Sequence, residues 1–213
     1  MNTNELVALL SHDAQGSTYG RGQRQLLATL GVGAFMTLTV MLLFYGIRSD
    51  IGRAIQLPHF WFKQAYPSTV LILSAGMLLR VAYPGRSTGL WGKALWVPFA
   101  CAWLAAGLAL LIAAPQARWG LFLGTTWAHC SLDIAVVAMP SLVVSLWAIR
   151  QLAPVRLDVA GAVAGLFAGS VGAAAYALHC LEMAAPFVAF WYMVGISIPV
   201  LTGWLIGPRL LRW

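Results

Sequence analysis

The chain of 213 residues is 61% hydrophobic and only 9% charged, with a formal net charge of +7. So little polar surface cannot cover a water-soluble globule, which excludes a soluble enzyme or soluble binding domain and predicts an all-α, polytopic bundle in lipid. The positive balance is no nucleic-acid signature, because Lys and Arg sit at the ends of apolar segments and make no basic run or aromatic-interleaved patch.

The chain begins with "MNTNELVALLSHDAQG". Asn2 followed by Glu5 resembles a capping box, Leu6, Val7, Leu9 and Leu10 make a short apolar stripe, and Gly16 ends the run. The pattern predicts an amphipathic helix of about three turns, a length that is marginal alone in water, so its apolar face needs a surface. Glu5 and Asp13, with no Lys or Arg before Arg21, argue against anionic lipid and favour a protein groove. The chain therefore divides into an N-terminal partner-binding segment, 1–25, and a membrane domain, 26–213.

At about 20 apolar residues per span, six transmembrane helices are expected, at roughly 26–47, 60–82, 94–114, 131–150, 157–179 and 184–207. The first is too long for a signal-peptide core and lacks a small-x-small cleavage site, so it reads as a retained anchor. "YPGRSTGLWGK" and "RQLAPVRLD" are the clearest loops. Arg21, Arg24, Arg80, Arg86, Lys93, Arg150, Arg156, Arg209 and Arg212 fall on one side of this arrangement, against Arg48, Arg53, Lys63 and Arg118 on the other. That asymmetry puts both termini in the cytoplasm. The stretch from Pro115 to Ala128 becomes an outer, aromatic loop at the lipid interface, with Trp61, Trp119, Trp127 and Trp191 in an outer belt, and Lys63 is placed to snorkel outward. Prolines within or near the spans (Pro67, Pro98, Pro140, Pro199) would suit a transporter, but no ladder of buried carboxylates accompanies them.

In the fifth span, "GAVAGLFAGSVG" repeats Gly161, Gly165 and Gly169 at every fourth residue, the mark of a face that another helix approaches closely. The spacing does not choose between a neighbour in this chain and a second copy, and leaves the oligomeric state open.

Two of the three cysteines stand in near-copies, "AHCSLD" and "LHCLEM". Cys130 opens the fourth span and Cys180 closes the fifth, both at the outer, oxidising side. Cys101 reads as a small packing residue in the third span. A histidine precedes each outer cysteine, His129 and His179, and an imidazolium lowers a thiol pKa toward the reactive thiolate. The same four residues could instead bind a soft cation. A redox or metal-responsive thiol pair, a structural disulfide and helix-end polar residues satisfying one another all fit, and adjacent His and Cys side chains on a helix point about 100 degrees apart. No phosphate loop, nucleophile elbow or second cysteine pair for electron relay occurs, so no catalysis and no resident cofactor is expected, transient copper or another soft metal ion being the one candidate ligand.

Taken together, "NELVALLSHDA", "FWFKQAYP", Cys130, "AAAYALHC" ending at Cys180, "VAFWYMVGI" and the closing "LIGPRLLRW" resemble the NrsF family, small six-span bacterial membrane proteins. The resemblance covers nearly the whole chain. It implies an anti-sigma factor for an extracytoplasmic-function sigma factor, held by the N-terminal segment through Glu5, Leu6, Leu9 and Leu10, with Cys130 and Cys180 needed for the response to oxidant or metal stress. A membrane metal-binding or transport-related protein using the same Cys and His residues is the rival reading.

Overall fold

Apolar runs bounded by Pro, Gly and charge give helices throughout. The computed structural model describes residues 2, 5, 17–83, 88–152 and 154–212, and among them every regular element is helical. In chain order these are α1 (Ser17–Phe44), the short α2 (Ile51–Ala54), α3 (Pro58–Val81), α4 (Gly89–Ala94), α5 (Trp96–Ile112), α6 (Pro115–Leu123), α7 (Trp127–Arg150), α8 (Leu157–Tyr176), a single turn α9 (Ala185–Phe187), a π turn (Val188–Tyr192) and α10 (Met193–Leu210). At the chain start, the Glu5 carboxylate accepts the Asn2 backbone N–H at 3.2 Å and the Glu5 N–H returns to the Asn2 carbonyl at 3.0 Å, one half of a capping box. Leu6, Leu9, Leu10 and Gly16 lie outside the described residues.

Five stretches are long and apolar enough to cross a membrane: Gly22–Phe44, Gly89–Ile112, Pro115–Arg150, Leu157–Tyr176 and Ala185–Leu210. Six were expected. The remaining long helix, α3, has 24 residues but is diluted by Lys63, Gln64, Ser68, Thr69 and Ser74. Several boundaries also move. The helix containing the first span starts at Ser17 rather than 26, because an apolar run marks the part in lipid and a helix can extend beyond it. Helix resumes at Gly89 inside the expected loop, with Trp91 lying on Gly76 of α3. Pro115–Leu123 is helical where an outer loop was expected, Pro115 occupying the first helical position.

The small residues of α8 put it at the centre. Every residue from 163 to 173 is buried, which only a helix of Ala, Gly and Ser with few larger side chains permits when neighbours crowd every face. The glycine stripe meets α10 of the same chain. A Cβ at Gly161 would strike the Gly203 carbonyl, one at Gly165 the Pro199 carbonyl, and one at Gly169 would lie 2.9 Å from the Ile196 oxygen. On the other side, a Cβ at Gly172 would come within 2.8 Å of Ala138 on α7. Helix α3 covers a further face, Ser74 and Ser170 touching at 3.4 Å.

Proline-broken backbone is repaired by neighbours. Next to Pro140 in α7, the Ser141 N–H donates to Thr37 Oγ1 of α1 at 3.2 Å, tying the two helices at a fully buried point. Outward, Phe44, Trp96 and Ile112 are 81%, 76% and 86% exposed, a distribution suited to lipid and not to water. Cys101 is exposed on α5 and so is not an interior packing residue.

Candidate functional site

Cys130 and Cys180 come together. Cys130 lies in the first turn of α7, its N–H bonded to the Thr126 carbonyl at 3.0 Å, and Cys180 lies four residues past the end of α8, its N–H bonded to the Tyr176 carbonyl at 3.0 Å. Both are free thiols, 0% and 2% exposed, and they sit in the same buried cluster with their side chains close enough to influence each other. The chain leaves α8 through a turn at 177–179, which points Cys180 back into the bundle.

Two cations converge on the Cys180 backbone. Lys63 of α3, fully buried, donates from Nζ to the Cys180 carbonyl at 2.6 Å, and Arg48 donates from Nη1 to the same oxygen at 3.3 Å. The expectation that Lys63 snorkels outward is thereby corrected. The buried stripe of α3 runs Phe60, Lys63, Tyr66, Val70, Ser74 and Met77, so helical periodicity carries Lys63 inward. Its ammonium also sits 5.8 Å from the centre of the Tyr192 ring. Arg48 is gripped by Asp50 through two contacts, 2.6 and 2.8 Å, and its own N–H bonds the Leu178 carbonyl at 3.3 Å. That pairing holds the Asp50 carboxyl below its ordinary range and the Arg48 guanidinium above its own.

The π turn Val188–Tyr192 seats Tyr192 against Cys180. Insertion of an extra residue into a helix re-aims one side chain, here a fully buried tyrosine. The neighbouring Cys130 thiol lowers the pKa of Cys180 below the ordinary thiol range; burial opposes this, while the Lys63 ammonium adds to it.

A second polar layer flanks the thiols. Asp133, one turn along α7 from Cys130, accepts from the Tyr45 hydroxyl at 3.0 Å and the Tyr176 hydroxyl at 3.1 Å. His179 packs on both tyrosine rings, centroids 5.5 and 5.6 Å away, with Nδ1 3.2 Å from the Gly46 carbonyl. A carbonyl only accepts, so Nδ1 carries the proton in that contact. Glu182 turns from the thiols toward Thr125, accepting from its N–H and hydroxyl at 2.7 Å each. Gly124, at φ +58°, makes room: a Cβ there would lie 2.8 Å from the Glu182 carboxyl carbon.

His129 is exposed on α7 and does not join the cluster. Among the described residues no three His, Cys, Asp or Glu side chains converge as a metal cluster, so the set Cys130, Cys180, His129 and His179 is not assembled around one point. Instead the arrangement offers two adjacent sulfurs, a buried cation and phenol donors, which suits thiol chemistry. A cavity of about 270 Å³ at this end of the bundle is lined by Tyr45, Arg48, Thr126, Tyr176, His179 and Cys180, among others.

A family model described as the negative regulator of sigma F, NrsF, matches residues 10–213. The chain is 37% identical over 213 residues to the probable anti-sigma-F factor NrsF of Azospira oryzae, and 38% identical over 220 aligned residues to the anti-sigma-F factor NrsF of Caulobacter vibrioides, with all of both chains covered in each case. No solved structure matches the chain. With both comparisons spanning essentially its full length, the chain belongs to the NrsF family, negative regulators of sigma F and not enzymes.

Proposed function

We propose that this protein is an anti-sigma factor of the bacterial inner membrane that holds an extracytoplasmic-function sigma factor through its N-terminal segment and releases it when Cys130 and Cys180 respond to oxidant or metal stress. That the partner is a sigma factor is supported by the relatives, both named as anti-sigma-F factors. One observation carries the sensing half: two free, buried thiols on different elements brought into one buried cluster.

In this reading all six long helices span the membrane, α3 included, since its polar side chains Lys63 and Ser74 face the bundle rather than lipid. The excess of cations at one end puts both termini in the cytoplasm and the thiol pair in the oxidising periplasm. Segment 1–25 is the sigma-binding part, with Glu5, Leu6, Leu9 and Leu10 at the contact, and 26–213 is the sensor. A two-electron oxidant removes two electrons and two protons from the thiols and joins the sulfurs, and exchange with a thiol reductant restores them. A soft cation such as Cu(I) would instead bind the two sulfurs as thiolates, releasing two protons.

The path from thiols to tail runs through α7 and α1. The glycine face of α8 is occupied by α10, whereas α1, which continues directly from the N-terminal segment, packs on α7 through Gly33 beside Val144 and Thr37 bonded to Ser141. A change in the position of α7 is therefore felt by α1. A tenfold release of the partner needs only about 1.4 kcal/mol of differential affinity between the two states.

The test is thiol trapping in whole cells, acid-quenched before and after copper or hypochlorite, alkylated in denaturant and resolved on non-reducing gels. Loss of labelling at both Cys130 and Cys180 on stress is the expected result. Unchanged labelling of both under either stress would contradict the sensing role.

A further inference from the structure

Within the thiol pair the two sulfurs are not equivalent. Cys180 lines the cavity of about 270 Å³ at this end of the bundle, together with Tyr45, Ser49, Tyr176 and His179, whereas Cys130 is not part of that lining and is fully buried behind it. Lys63 donates to the Cys180 carbonyl at 2.6 Å, which holds its fully buried ammonium beside the Cys180 side chain. Arg48 joins Lys63 at the Cys180 carbonyl at 3.3 Å, so two cations stand next to the residue whose sulfur would carry negative charge. No carboxylate oxygen falls within ion-pairing distance of Lys63 among the described residues, where the carboxylate pairs are Arg48 with Asp50 and Arg156 with Asp158. A fully buried ammonium is costly to keep without an anion, and the Cys180 sulfur is the group in place to supply it.

We propose that Cys180 is the sulfur that meets the oxidant, entering through this cavity, that Cys130 is the resolving thiol, and that Lys63 is a positioning residue that holds Cys180 ready for attack. The proposal rests on the sensing role stated above and assigns the order of events within it. With a peroxide as oxidant, the Cys180 thiolate attacks one peroxide oxygen and the O–O bond breaks, giving a sulfenic acid on Cys180 and hydroxide. The Cys130 sulfur then attacks the Cys180 sulfur, the S–O bond breaks, a disulfide forms, and the departing oxygen leaves as water. Two thiols and one peroxide thus give one disulfide and two waters, the pair supplying both electrons. The charged and titratable groups facing Cys180 are Lys63 on α3, Arg48 before α2, Cys130 and Asp133 on α7, Tyr176 on α8 and Tyr192 in the π turn. Lys63 and Arg48 are the cations of that set.

The experiment uses the full-length protein purified in detergent, treated with hydrogen peroxide in the presence of a dimedone-type sulfenic acid trap, with adducts located by mass spectrometry. Cys130→Ser should give the adduct at Cys180, and Cys180→Ser should give it at Cys130 at least about tenfold more slowly. Equal or faster trapping at Cys130 would overturn the order. In the Cys130→Ser background, Lys63→Gln keeps a donor for the Cys180 carbonyl but removes the charge. It should move the pH profile of Cys180 alkylation to higher pH, and Lys63→Arg should restore the original profile. A profile unchanged by Lys63→Gln would overturn the role of Lys63, and the comparison of the two cysteine variants, which retains Lys63, decides the order independently. Because the readout is chemical and contains no sigma factor, the signalling role could fail while this order stands, and the reverse.

Discussion

The Lys63 ammonium and the Cys180 carbonyl oxygen are 2.6 Å apart, and the lysine is fully buried. This contact pins the turn that follows α8 to α3, and it fixes the height at which Cys180 faces Cys130. Lys63→Met, which fills the space without the charge, should destabilise the folded bundle by about 1.5–3 kcal/mol, the range for a hydrogen bond to a charged group. Thermal unfolding in detergent measures it, and an unchanged midpoint would show that Arg48 alone satisfies the carbonyl.

The crossing of α8 and α10 is set by absent side chains. Gly165→Ala places a methyl on the Pro199 carbonyl and must force the helices apart, an overpacking cost of about 1–3 kcal/mol. Gly31→Ala on α1 meets nothing within 4 Å and should be neutral or slightly stabilising, by up to about 1 kcal/mol. The pair of variants, compared by thermal unfolding, separates helix propensity from close approach.

Asp133 is the shared acceptor of two tyrosines on different elements, Tyr45 and Tyr176. Asp133→Leu leaves both hydroxyls without it and should cost about 1–3 kcal/mol for each group left buried and unpaired. Asp133→Asn keeps one acceptor oxygen and should lose less. Equal losses in the two variants would show that carboxylate charge, and not acceptor number, matters there.

Between α1 and α2, Arg48 holds the Asp50 carboxyl below its ordinary range. A depressed carboxyl contributes stability that is fully present above its unfolded value, about 3.9, and is lost as pH falls through the lower folded value. Asp50→Asn should therefore lower the unfolding midpoint at neutral pH and converge with the parent protein in strong acid. Parallel midpoint curves across that range would contradict the pairing.

Much of this architecture was legible in the sequence because lipid enforces it: apolar runs of spanning length must be helical, and small residues every fourth position must meet a close neighbour. Cys130 and Cys180 were readable as partners because "AHCSLD" and "LHCLEM" end consecutive antiparallel helices at the same side. Lys63 was misplaced because hydropathy treats a lysine near a helix end as outward-bound, although its spacing from Phe60, Tyr66 and Val70 put it on the buried stripe. Arg48 and Tyr45 carry no local signal, since their roles depend on contacts across more than 80 residues of chain, and the π turn that delivers Tyr192 has no sequence mark of its own. His129 shows the reverse, a suggestive neighbour of Cys130 that helical geometry turns outward.

The central claim is that the N-terminal segment restrains a sigma factor. Its most direct test is deletion of residues 2–15, with the shortened protein verified in the membrane by immunoblot, while transcription from promoters of the cognate sigma factor is measured without stress. Transcription should rise to the level seen when the whole protein is absent. Promoters that stay silent with residues 2–15 removed would contradict the account.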